Sequence, residues 1–427
     1  MTLPLAPPAG MRDLLHPEST ARRALGRRLG EVFALWGYEL VTTPPFEHAE
    51  VLERGLEAMD RRDLVRFVEP ETGEVALLRP DITPQVARIV ATRLAGRPPP
   101  FRLCYEGTVV RRRRGRARKH RQIAQAGVEL VGLGSAAADA EVVSLAARAC
   151  EAVGLSRFRI ELGQVRIGRA ALERVPEDAR EEAAGALARK DAAELASVLD
   201  AAGVAEGDRE LLAALADLYG EVGVIEEARK IARGGAMAHA LDELADVADR
   251  LGSLGLGDRL GVDLGELRGM SYYTGVSFTL LAEGPGEPIG AGGRYDNLLG
   301  RFDAPAPATG FALDLDNLEW ALVRAGLGFA GETPLRVALA GDDSAACEAL
   351  ADALRASRCA VARLPLHAED DALAFARAWG YDASLFVDHS ATRARRASDG
   401  AARELSPSAV GVDVNALATW AREGAGK

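Results

Sequence analysis

Three stretches of this 427-residue sequence gather side chains that can do chemistry. The first is Leu78-Arg-Pro-Asp-Ile-Thr-Pro-Gln85, where Asp81 and Thr83 stand two residues apart after an apolar run. Both can accept a hydrogen bond from an amine. Equally, Thr83 can cap a following helix and leave Asp81 on the surface. The second is the basic run Arg111-Arg-Arg-Arg-Gly-Arg-Ala-Arg-Lys-His-Arg121, followed by Gln125, Gly127 and Glu129. Guanidinium forks bind oxyanions bidentately, and alternation puts residues 125, 127 and 129 on one face of a strand. That face either lines a polar pocket or meets solvent. The third combines Leu267-Arg-Gly-Met-Ser-Tyr-Tyr-Thr-Gly-Val-Ser-Phe278 with Gly290-Ala-Gly-Gly-Arg-Tyr-Asp296. It offers Arg and phenol groups at one end of a sheet, or core tyrosines beside an exposed Arg.

Other chemistries find little support. There is no Walker P-loop, no HExxH and no complete GxGxxG, and the near misses at Gly255 and Gly284 read as loop glycines. Cys104, Cys150, Cys347 and Cys359 form no CxxC and no metal-ligand spacing with the histidines, so no metal and no cofactor are expected. With 48% hydrophobic and 27% charged residues the chain reads as globular, which excludes disorder and collagen-like structure. Neither a secretory signal nor a membrane-length apolar run is evident, so a cytoplasmic location with reduced thiols is expected. The net charge of −11 argues against wholesale nucleic-acid binding, although nine Arg or Lys residues fall between Arg102 and Arg121. Lysine occurs only at 119, 190, 230 and 427, so a single Arg carries little information in this chain.

The elements that must position these residues follow from periodicity. Residues 18–36 have helical spacing ended by Gly37, and Tyr38 to Thr43 reads as a strand stopped by Pro44-Pro45. Val75 to Leu94 reads as strand, turn and helix. Strands are expected near 102–110, 126–132, 158–162, 261–264, 272–281 and 309–313, with a helix at 139–154. Residues 168–250 repeat Ala, Glu, Leu and Arg at helical period without strand signals, the mark of a helical insertion. Gly326 to Pro334 looks like a linker. Beyond it, strand and helix alternate as in a small domain with a largely parallel sheet.

In this order, over residues 7 to 323, the stretches resemble the histidyl-tRNA synthetase catalytic fold. Pro8-Ala-Gly-Met-Arg-Asp-Leu-Leu15 resembles the family's N-terminal signature, Gly37 to Glu47 its motif 1, and Arg102 to Glu129 its motif 2 hairpin. Residues 335–427 are more loosely similar to its anticodon-binding domain. The resemblance implies an α+β chain with a class II aminoacyl-tRNA synthetase-like antiparallel sheet core. Its expected parts are a domain over residues 1–325 with the helical insertion at about 168–250, a linker at 326–334, and a small α/β domain at 335–427.

The resemblance also implies roles for single residues. Asp81, Thr83 and Gln125 fall where the family holds the α-amino group of histidine, with Asp81 standing for a usual Glu. Glu129 and Tyr273, with Tyr272 beside it, fall at the imidazole. Arg268 falls near the carboxylate and α-phosphate, and Arg111 at the motif 2 position for the α-phosphate. The rest of the ATP machinery departs from the family. Arg113 replaces a Glu, Ile123-Ala124 replaces a Phe-His pair, Asp314 replaces a Gly and Asn317 the Arg of motif 3. Losing one donor to a developing charge typically costs about 10²–10³ in rate, so aminoacylation is not expected.

A histidine pocket without adenylation machinery resembles a paralogous family, the regulatory subunits of ATP phosphoribosyltransferase. Arg79 to Ile89 and Gly265 to Gly269 leading into a Tyr-rich strand are similar to that branch. The resemblance implies a non-catalytic chain that docks the short-form catalytic subunit, dimerises, and takes L-histidine as effector, without nucleic acid or membrane as partner. The alternative is a divergent histidyl-tRNA synthetase. The segment after residue 333 is a departure, since shorter members of the branch lack much of it.

Overall fold

Apolar residues at helical spacing produce α1 (Glu18–Leu35), which buries Leu25, Leu29 and Phe33. Its end has the hydrogen bonds of a Schellman motif: Gly37 N donates to Ala34 O (3.0 Å) and Tyr38 N to Phe33 O (3.1 Å). Gly37 takes the left-handed φ of 80° that this ending requires. The computed structural model describes residues 5–56, 63–112, 120–232, 234–266, 272–328, 334–341, 345–388, 391–405 and 413–423. Contacts divide the chain into two units, Met1–Phe329 and Ala330–Lys427.

After α1 come β1 (Glu39–Leu40), β2 (Phe46–His48), α2 (Ala49–Glu53), β3 (Arg66–Val68), β4 (Val75–Leu78) and α3 (Thr83–Thr92). The expected strand from Tyr38 to Thr43 is therefore only two residues of ladder. Val41 N still reaches Cys104 O, but Thr43 gives its carbonyl and hydroxyl to Arg79 instead of to a strand. β2 and β3 flank β4 in a three-stranded antiparallel sheet that the hydrophobic pattern did not announce.

The main sheet is built on the ten-residue strands β5 (Phe101–Val110) and β6 (Gln122–Val131), paired antiparallel along their whole length. Then follow α4 (Ala136–Ala152) and β7 (Arg159–Gln164). Six helices come next: α5 (Val165–Leu172), α6 (Glu177–Ala188), α7 (Ala192–Ala201), α8 (Glu206–Asp217), α9 (Val224–Ile231) and α10 (Gly235–Ser253). The short β8 (Tyr219–Gly220) between α8 and α9 pairs with β9 (Leu260–Asp263), so the inserted segment is not purely helical. It also starts at Val165, directly off β7, rather than at 168. β10 (Val276–Leu281), β11 (Gly290–Arg294), β12 (Ala308–Asp314) and α11 (Leu315–Arg324) complete the unit.

The nine strands run in the order β1-β5-β6-β12-β11-β10-β7-β9-β8, with only β1–β5 and β7–β9 parallel. This is the antiparallel α+β core. One face carries Ala126, Val128 and Leu130 into a core shared with α1, α4 and the inserted helices. The pleat sends Gln125, Gly127 and Glu129 to the opposite face, toward α3 and a group of tyrosines.

The second unit contains β13 (Arg336–Gly341), α12 (Ala345–Ala356), β14 (Ala360–Leu364), α13 (Glu369–Ala378), β15 (Ala383–Val387), β16 (Thr392–Arg396), β17 (Ala402–Leu405) and α14 (Val414–Arg422). Its strand order is β14-β13-β15-β16-β17. β13, β14 and β15 are parallel, whereas β16 and β17 add an antiparallel edge, so the expected largely parallel sheet is parallel in one half only. All four cysteines of the chain are buried. Among the described residues no helix is long and apolar enough to cross a membrane.

Candidate functional site

Asp81, Thr83, Gln125, Glu129, Tyr272, Tyr273 and Arg111 all line one cavity of about 640 Å³ on the tyrosine-bearing face of the main sheet. That is within the usual range of small-molecule sites, about 300–1,000 Å³. Arg268 and Arg113 lie outside the described residues.

The turn from β4 into α3 is clamped by Arg79, whose Nε donates to Thr108 O (2.7 Å) and whose Nη1 donates to Thr43 O (2.9 Å). Gly107 makes room for this clamp, since a Cβ there would overlap the guanidinium. The clamped turn presents Asp81 and Thr83 together. Asp81 Oδ1 accepts from Thr83 N (3.2 Å), and the Thr83 hydroxyl donates to Glu129 Oε1 (2.6 Å). Thr83 is thus no helix cap: α3 begins after Ile82 with no side-chain cap, and the hydroxyl is spent on a strand across the cavity.

Glu129 is 2% exposed. Its other oxygen accepts from the hydroxyl of Tyr295, which follows β11. Burial pushes the carboxyl up to about 8, the Asp81 charge adds to the rise, and the bonds from Thr83 and Tyr295 oppose it. Gln125, two residues earlier on the strand, is also buried, and its Oε1 has no hydrogen-bond partner. A buried, unsatisfied acceptor lining a cavity is a place for a ligand N–H.

Tyr272 and Tyr273 stand before β10 rather than in it. The Tyr273 carbonyl accepts from Arg169 Nη2 on α5 (3.2 Å), so it does not join the ladder. The rings of Tyr272, Tyr273 and Tyr295 form an aromatic wall with centroids 5.3 Å apart for each pair made with Tyr272. Arg294 takes the other face. Far from being exposed, it is buried in an ion pair with Asp139 (2.7 Å) and plays no part in the cavity lining. Tyr295 carried no assigned role in the sequence. The signal was its place next to Arg294, because neighbours on a strand point to opposite faces.

Arg111 sits at the mouth, with Nη1 3.9 Å from Asp81 Oδ2 and 3.4 Å from Pro80 O. Asp314, directly across the β12–β6 ladder from Gln125, caps α11, accepting from Asp316 N (3.0 Å) and Asn317 N (3.1 Å). Asn317 is buried and donates from Nδ2 to Pro288 O (2.8 Å). The described lining therefore holds the carboxylates of Asp63, Asp81, Glu287 and Asp314, with the buried carboxyl of Glu129, against the guanidiniums of Arg111 and Arg112. Such a site accepts amine-like N–H donors and opposes polyphosphate. Among the described residues no group of three or more His, Cys, Asp or Glu is placed to hold a metal ion.

Sheet and site together define a class II aminoacyl-tRNA synthetase-type domain, and the histidyl-tRNA synthetase family profile matches residues 10–318. The histidyl-tRNA synthetase of Nostoc sp. PCC 7120 shares the fold, with a TM-score of 0.78 at 21% identity over 99% of each chain. Within this class the chain belongs to the family of ATP phosphoribosyltransferase regulatory subunits. It is 43% identical to the regulatory subunit of Anaeromyxobacter dehalogenans over 346 residues, 79% of this chain and 97% of that one. It is 37% identical to that of Syntrophotalea carbinolica over 410 residues, 94% and 96% of the two chains. A structure described as an ATP phosphoribosyltransferase regulatory subunit/histidyl-tRNA synthetase, from Bacillus halodurans, superposes with a TM-score of 0.80. It is 32% identical and covers 90% of this chain and 99% of that one.

Proposed function

We propose that this chain is a non-catalytic regulatory subunit that activates a short-form ATP phosphoribosyltransferase catalytic subunit and conveys feedback inhibition by histidine. The observation that carries this reading is one cavity lined by two unlike groups of residues. Asp81, Thr83, Gln125, Glu129 and Tyr273 offer acceptors and an aromatic wall suited to the ammonium and imidazole of histidine. In the same lining, the positions that the resemblance assigns to phosphate are occupied by a helix-capping Asp314 and a buried, bonded Asn317. A chain of this kind holds an amino acid without activating it. Arg111 and Arg268 are assigned to the carboxylate side of the ligand.

On this reading the chain works in the cytoplasm, pairs with a second copy of itself, and docks the catalytic subunits in a hetero-oligomer. Histidine regulates by binding the active and inactive assemblies with different affinity; without that difference it shifts nothing. The test is phosphoribosyl transfer by a short-form catalytic subunit, with and without this chain, across a histidine titration. Activation that histidine suppresses is expected. No change in rate with both proteins folded overturns the reading.

Arg111 at the cavity mouth favours a second reading, a divergent histidyl-tRNA synthetase. Histidine-dependent ATP–pyrophosphate exchange by the purified chain decides between them, and none is expected.

A further inference from the structure

Glu129 is a carboxylate in an unusual setting. It lies on β6, almost wholly enclosed, and the groups that donate to its two oxygens, Thr83 and Tyr295, are neutral hydroxyls. Gly310 on the neighbouring β12 leaves the space its carboxylate occupies, since a Cβ at that position would overlap Oε2. The titratable groups around it are Asp81 from the turn before α3, Tyr105 from β5, Tyr272 and Tyr273 before β10, and Tyr295 after β11. Burial raises all four phenols above their ordinary range, so each remains a neutral O–H at physiological pH. The Asp81 charge adds to the cost of ionising Glu129, and Arg111, a cation of the cavity lining, is placed against Asp81.

Resting on the reading of the cavity as a histidine site, we propose that Glu129 is a proton store. The empty site holds its proton on this carboxyl, and an entering neutral imidazole takes it, so that histidine is bound as an imidazolium against the Glu129 carboxylate. The O–H bond of the carboxyl breaks and an N–H bond forms on the ring, with no proton drawn from or given to solvent. Specificity then rests on basicity as well as shape, because a side chain of similar outline that cannot accept the proton leaves Glu129 neutral and forfeits the charge-assisted bond.

The arrangement has a signature in the proton balance of binding. Free histidine side chains titrate near about 6.5, and Glu129 in the empty site near about 8. Between these values the ligand arrives neutral and Glu129 protonated, and binding is proton-neutral. Below them both partners arrive protonated and one proton is released. Above them neither is, and one proton is taken up for the imidazolium, beyond whatever the ligand's own α-amino group takes up as it is bound as an ammonium.

Calorimetry of histidine binding to the full chain, in two buffers of different ionisation enthalpy at pH 6.0, 7.3 and 8.8, counts these protons. The 15N spectrum of ring-labelled bound histidine at pH 7.3 locates the shared one. Release, neutrality and uptake in that order, with the two ring nitrogens showing the matched shifts of an imidazolium, are expected. Glu129→Gln, close to isosteric, should weaken binding about tenfold or more and cut the uptake at high pH to the share of the ligand's α-amino group. Uptake of a whole proton at pH 7.3 overturns the proposal, because Glu129 would then be ionised beforehand. So does a neutral-imidazole spectrum, which would leave the proton on the carboxyl. Absence of histidine binding at every pH overturns the parent reading and this one with it, and is told apart from the other two failures by the missing binding heat.

Discussion

Glu129 and Gly310 face each other across adjacent strands, and each constrains the other. A carboxyl raised to about 8 by burial binds its proton more tightly in the folded chain than in the unfolded one. Its contribution to stability is fully present below the ordinary carboxylate range and is lost as pH rises through about 8. The urea midpoint of the empty protein should therefore fall between pH 5.5 and 8.5, and Glu129→Gln should flatten that slope; an unchanged slope refutes the assignment. Gly310→Ala displaces the Glu129 carboxylate and crowds Val128 O. Overpacking of this kind costs about 1–3 kcal/mol, read as a lower urea midpoint together with weakened histidine binding. In the sequence Glu129 and Thr83 were visible as candidates, but their bond was not. Spacing placed Thr83 at a helix start, where capping is the common use of its hydroxyl. Only the approach of β6 across the cavity redirects that hydroxyl.

At the scale of elements, α5 links the cavity to the inserted helices, because Arg169 on it holds the Tyr273 carbonyl. Arg169 is a positioning residue in this view. Arg169→Ala should weaken histidine binding about tenfold, the scale of one charged hydrogen bond, and Arg169→Lys should recover part of it. Equal loss in both variants, or loss of folding by circular dichroism, would point to a packing role instead. Long elements with clean periods, such as α1, β5, β6 and α4, were legible because tertiary contacts reinforce their pattern. The short ones were not. β1 stops where Thr43 turns to Arg79, and β8 consists of a Tyr and a Gly between helices. β16 hides its alternation because Arg393 and Arg395, both paired with acids of α13, read simply as charge.

For the whole molecule, the resemblance extended beyond the cavity, and relatives such as that of Syntrophotalea carbinolica include the second unit as well. The basic strand of that unit is neutralised from within: Arg393 meets Glu369 and Asp388, Arg395 meets Asp370, and Arg396 meets Asp399 and Glu423. With a net charge of −11 besides, affinity for tRNA at physiological salt should be no tighter than non-specific binding, about 10⁻⁴–10⁻⁶ M. Filter binding across a salt series checks this, and a dissociation constant below the micromolar range would return the synthetase reading to contention.

The capped start of α11 bears on how such a chain can change over generations. Replacing Asp314 by Gly costs only a few tenths of a kcal/mol as a cap, yet by itself it brings no cation to the cavity. Replacing Asn317 by Arg brings the cation, but into a buried position whose present side chain is bonded to Pro288 O. Neither step alone both clears the carboxylate and supplies the cation, so a return needs more than one substitution. Positions 314 and 317 act as a ratchet: on the proposed reading, a lineage that has passed this point keeps its amino-acid cradle and has no short road back to adenylation.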